Sequence, residues 1–156
     1  MAKKLAADKP KFTLVRASSK AELFGLCAAL LQHDSRATAA SYRELYACAM
    51  RSSVALVGVI LPNSAGIVNV GYVAYTKLNY ISLTVFLKGI RELAPSELDS
   101  GDLVTVVQLV CPHGMSEEIY NFVQANNKVL CPENNIFSRE LHEGMPYDIL
   151  NTREGD

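Results

Sequence analysis

The sequence predicts an α/β fold in which a mixed, largely antiparallel sheet is flanked by helices. Three observations carry this. Two early segments repeat apolar residues at helical spacing. Three later segments are short apolar runs bounded by turn residues. A further helical segment follows the last of these runs. With 156 residues, 49% of them hydrophobic and 20% charged, the chain is long and apolar enough to bury a core.

The first helix is expected over 20–32, with Ser18 or Ser19 as its N-cap and Leu23, Leu26, Cys27, Leu30 and Leu31 on one face. The polar turn His33-Asp34-Ser35-Arg36 ends it. A second helix is expected over 41–50, burying Tyr42, Leu45, Tyr46 and Ala49. The apolar runs 54–61 and 67–75, separated by Pro62-Asn63-Ser64-Ala65-Gly66, read as a hairpin.

Residues 79–94 are ambiguous. Ile81, Thr84 and Val85 favour a strand, whereas Leu83, Phe86, Leu87, Ile90 and Leu93 fit a helical stripe that Pro95 would end. Ser100-Gly101-Asp102 turns into a strand over 103–111, stopped by Pro112 and Gly114. Ser116 is expected to cap a helix carrying Glu117 and Glu118 in its first turn, and a last strand is expected over 136–141. Residues 1–18 read as an N-terminal arm in which Phe12, Leu14 and Val15 can dock as a short strand. Residues 19–150 read as one domain, and 151–156 as a C-terminal tail.

Charge and composition narrow the classes of function. The net charge is −1, and the one basic cluster, Lys3, Lys4, Lys9 and Lys11, reads as a solvated tail, so no nucleic-acid partner is expected. No apolar run reaches the ~18 residues of a membrane span, and no secretory leader pattern follows the first lysines. Cys27, Cys48, Cys111 and Cys131 sit among apolar neighbours without paired spacing. They read as reduced thiols of a cytoplasmic protein. His33, His113 and His142 lack the close spacing of metal ligands, and no metal site is expected.

The run Asn69-Val70-Gly71-Tyr72-Val73-Ala74-Tyr75-Thr76-Lys77-Leu78-Asn79, then Ser100-Gly101-Asp102, Pro112-x-Gly114 and Tyr120-Asn121-Phe122 resemble, in one register, the bacterial lysine acyltransferases that activate RTX toxins. The resemblance implies a GNAT-like fold. It also implies transfer of a fatty acyl group from acyl carrier protein to an internal lysine of a partner protein, by an enzyme that is a homodimer in several members. It implies no bound cofactor. No Gln or Arg here opens the [QR]-x-x-G-x-[GA] loop that cradles coenzyme A in ordinary GNAT enzymes, which is compatible with a carrier-protein donor and equally with no acyl donor at all.

By the same resemblance His33 matches the family's catalytic histidine, and the position of its catalytic aspartate holds Gln108. The family's serine shortly before that histidine is not reproduced. A histidine suits removal of a proton from an amine, with an unperturbed pKa of ~6.5. A glutamine can orient an imidazole but brings no charge to stabilise its cation. Gln108, flanked by Val107, Leu109 and Val110, is in any case expected to be buried and to need a specific hydrogen-bond partner. Tyr72 and Tyr75, on opposite faces of their strand, and His113 at a strand end are the candidate substrate-binding residues. The alternative is an inactive relative that binds acyl carrier protein or another protein.

Overall fold

The computed structural model describes residues 10–138. Its chain order is β1 (Phe12–Leu14), α1 (Lys20–Leu31), α2 (Ala39–Met50), β2 (Val54–Ile60), β3 (Ile67–Leu78), α3 (Tyr80–Lys88), β4 (Leu103–Val110), α4 (Ser116–Asn126) and β5 (Phe137–Ser138). The five strands form one sheet in the order β1-β2-β3-β4-β5. All neighbours are antiparallel except β4 and β5, which run parallel on either side of α4. This is the mixed, largely antiparallel sheet with flanking helices that the sequence predicts. The last strand is seen at Phe137–Ser138; it starts after Ile136, and 139–141 of its expected span lie outside the described residues.

Both faces of the sheet are covered, which is why its central strands read as continuous rather than alternating apolar runs. One face packs Leu56, Tyr72, Ala74 and Val110 against Cys27, Leu30 and Leu31 of α1, Leu45 and Cys48 of α2, and Leu83, Phe86 and Leu87 of α3. The other packs Val57, Val73, Val106 and Leu109 against Ile119, Tyr120 and Val123 of α4. Phe12 and Leu14 pair with Val59 and Val57, so this part of the arm is an edge strand of the sheet.

Local chemistry fixes the helix ends. Ser19 caps α1 by accepting from the Glu22 N–H. Thr38 and Ser41 form a reciprocal capping box at the start of α2. Tyr42 is half-buried, but Tyr46 is 52% exposed rather than buried as expected. Its ring stands edge-on to Phe24, at a centroid distance of 5.3 Å.

The ambiguous segment resolves as the helix α3. Asn79 caps it through the Ser82 N–H, and Gly89 ends it in the left-handed conformation at φ 64°. The stop is therefore Gly89, not Pro95, and Ile90 falls beyond the helix and is exposed. Ser116 is the first residue of α4 and not its cap. Met115 holds the N-cap position at φ 64° and gives no side-chain bond there.

Strand β4 carries the irregularity that matters most. Ala74 pairs with Gln108 and Tyr75 with Val106, so Val107 is an extra residue, a β-bulge. Val106 and Leu109 face α4, whereas Val107 and Gln108 both face α1 and α2.

Candidate functional site

A cleft of about 760 Å3 opens where the turn after α1, the first turns of α2 and the C-terminal half of β4 meet. His33, Asp34 and Arg36 line it from the turn, Ser41 and Glu44 from α2, Gln108 and Cys111 from β4 and its end, and Ser116 from the start of α4. His33 and Gln108, far apart in sequence, thus share one cavity.

The turn that bears His33 is built from its own backbone and one ion pair. The His33 and Asp34 amides donate to the Leu30 and Leu31 carbonyls, which finishes α1. Asp34 accepts from the Arg36 backbone N–H at 2.9 Å and from its guanidinium at 3.1 and 2.8 Å. The side-chain bond from Arg36 holds the Asp34 carboxyl below the usual carboxylate range. Arg36 also reaches the Leu109 carbonyl at 3.4 Å, tying the turn to β4.

Behind the cleft lies a buried polar chain. Tyr72 is fully buried, and its phenol donates to Gln108 Oε1 at 2.6 Å. The Gln108 amide donates to the Ser41 carbonyl at 2.8 Å and to Glu44 Oε1 at 2.9 Å. Chemistry fixes each direction, because a backbone carbonyl can only accept and Gln108 must therefore turn its NH2 toward α2. Burial foremost, and then the negative charges of carboxylates such as Asp34 and Glu44, push the Tyr72 phenol far above its ordinary value. It stays protonated and remains a donor.

The expected burial of Gln108 and its need for specific partners are met by this chain. Tyr72 supports the cleft from behind and offers no surface for a ligand. Tyr75 lies on the opposite face, half-buried, where Asn127 donates to its hydroxyl at 3.4 Å, so it does not line the cleft. His113 is exposed in the turn after β4 and is not part of the cleft wall. His142 lies outside the described residues.

No family model matches the chain, and no curated protein matches it. Among the described residues no group of His, Cys, Asp and Glu is arranged to hold a metal ion, and no helix is long and apolar enough to cross a membrane.

Two residues of the cleft escape a reading of the sequence. Glu44 supplies a carboxylate next to Gln108, from a helix 64 residues earlier in the chain. Ser41 supplies a backbone carbonyl, which no side-chain pattern announces.

Proposed function

We propose that the chain is a protein-lysine acyltransferase that moves a fatty acyl group from acyl carrier protein to an internal lysine of a partner protein. The observation that carries this reading is the shared cleft. It joins His33, which the family resemblance marks as the base, to Gln108, which stands where the family keeps its acid. In the reaction the lysine ammonium gives one proton to His33 and becomes a nucleophile. Its nitrogen attacks the thioester carbonyl, a C–N bond forms, the C–S bond breaks, and the departing thiolate takes the second proton of the amine.

One observation favours a second reading, an inactive relative that binds acyl carrier protein or a partner protein. The Gln108 amide is committed to Tyr72, Ser41 and Glu44, which is the pattern of a structural polar residue. Incubation with fatty-acyl carrier protein and a lysine-containing acceptor, read by intact mass, separates the two. Acylation of the acceptor that His33→Ala abolishes supports the enzyme. A stable carrier-protein complex without any acyl transfer supports the binding module. Transfer that is unchanged in His33→Ala rejects the assignment of the base.

A further inference from the structure

We infer that the open groove between α1 and α2 is a docking site for one amphipathic helix of a partner protein, a helix whose apolar stripe is flanked by two carboxylates. The inference is independent of the acyltransferase reading.

The sides of α2 have different neighbours. Leu45 and Cys48 pack toward the sheet, and Ser41 and Glu44 line the His33 cleft. Tyr42, Tyr46 and Met50 recur every four residues along a further side, where with Phe24 of α1 and Pro95 they wall a groove of about 610 Å3. It shares no lining residue with the cleft. At its centre Tyr46 is 52% exposed and stands edge-on to Phe24. An apolar floor left open on the surface is the mark of an interaction site.

The charges on this groove are of one sign. Arg43 and Arg51 line it, and both are exposed. Neither has a carboxylate partner among the described residues, and no acidic residue among them lines the groove. The two arginines stand eight residues apart, about 12 Å along α2 at ~1.5 Å per residue.

That spacing selects the occupant. A ligand with a single anionic head needs one guanidinium. Two of them about 12 Å apart match two carboxylates seven residues apart on a helix, which lie about 10.5 Å apart along its axis. The third and fourth positions after the first carboxylate then fall on the same stripe, over the aromatic floor. A small molecule fits less well, because its pocket buries most of the ligand, whereas a trough with a half-exposed central ring covers one side only. Exposed ion pairs contribute little affinity. The apolar stripe therefore supplies the binding, and the arginines set the sign of the partner and its salt dependence.

The test uses the full chain and a fluorescein-labelled helical peptide of alanine and glutamine. The peptide carries two glutamates seven residues apart, with leucines at the third and fourth positions after the first. A control peptide has lysines in place of the glutamates. Anisotropy is expected to report saturable binding of the glutamate peptide that weakens as salt rises, and binding at least about tenfold weaker for the lysine peptide. Tyr46→Ala, a change at an exposed position, is expected to weaken binding at least about tenfold, and the Met50 methyl resonance of the wild type is expected to shift on titration. Arg43→Gln combined with Arg51→Gln is expected to erase the preference between the peptides. Three results on the wild type, none needing a variant, overturn the inference: no binding of the glutamate peptide, equal binding of both peptides, or a Met50 methyl that does not move. Light scattering of the chain alone tests a second copy as the occupant, and a concentration-dependent dimer that Tyr46→Ala dissolves overturns the inference too.

Discussion

The phenol of Tyr72 in β3 is bonded at 2.6 Å to the amide oxygen of Gln108 in β4, and both side chains are buried. Removing one partner strands the other. Tyr72→Phe keeps the ring but leaves Oε1 of Gln108 without its donor, at an expected cost of about 1–3 kcal/mol. Tyr72→Phe combined with Gln108→Leu removes both polar ends and is expected to cost less than the sum of the single changes. Urea denaturation of the four chains in the cycle measures the coupling.

Gln108→Asp, which places an acid where the toxin-activating acyltransferases that the sequence resembles keep one, is expected to give no acyl transfer by itself. It would direct a carboxylate at the Ser41 carbonyl and the Glu44 carboxylate, both acceptors, and lose the two donations that Gln108 makes. Pairing it with Glu44→Gln places a donor opposite the new acid and is expected to recover stability. Thermal melts of the single and double variants check this, and a double variant no more stable than Gln108→Asp would refute it.

Burial pushes the Cys27 and Cys48 thiols up to about 12, so neither is a thiolate at neutral or mildly alkaline pH. Native alkylation at pH 8 is expected to spare both and to modify no thiols other than Cys111 and Cys131, which are half-buried. Peptide mapping after a timed pulse reads the sites, and all four are expected to react in denaturant.

The Arg91 guanidinium, bonded to Glu97 at 2.6 and 3.0 Å, and then the Ala94 amide hold the Glu97 carboxyl down to about 2 from an ordinary 4.5. A carboxyl that is more acidic when folded stabilises above its unfolded value and loses that contribution as the pH falls from about 4.5 toward 2. Glu97→Gln is therefore expected to flatten the dependence of melting temperature on pH in that window and leave its slope near neutrality unchanged.

Gly101 admits no side chain. A Cβ there would lie 2.6 Å from the backbone of Asn79, whose N–H donates to Ser100 Oγ and whose side chain caps α3. Gly101→Ala is expected to destabilise by about 1–3 kcal/mol, read from denaturant midpoints, by pushing the turn off the start of the helix.

Periodicity made much of this fold legible, and its failures have local causes. The α1 stripe, the β2–β3 hairpin and β4 are visible because each repeats its apolar residues over a full element. The segment after Asn79 is not, because Ile81, Thr84 and Val85 favour a strand by type while the cap at Asn79 and the stop at Gly89 favour a helix by position. Tyr46 reads as core, yet on α2 it stays 52% exposed and stands edge-on to Phe24. In the cleft, the need of Gln108 for partners is legible but their names are not. Val107 shifts the two-residue alternation by one step, so unbroken counting from Val106 puts Gln108 on the face of α4. Glu44 looks like any acidic residue of an amphipathic helix until a distant strand is laid beside it.

The ladder between β3 and β4 also divides the buried polar chain that runs from Tyr72 through Gln108 to α2. A cut in the loop between α3 and β4 would leave one fragment with the histidine, the acid and the phenol, and the other with the amide alone. Two such pieces expressed separately would hold incomplete halves of a cavity, and their reunion would be visible as its restoration. The same seam means that a chain still emerging from the ribosome has no cleft until β4 has been made and zipped onto its neighbour.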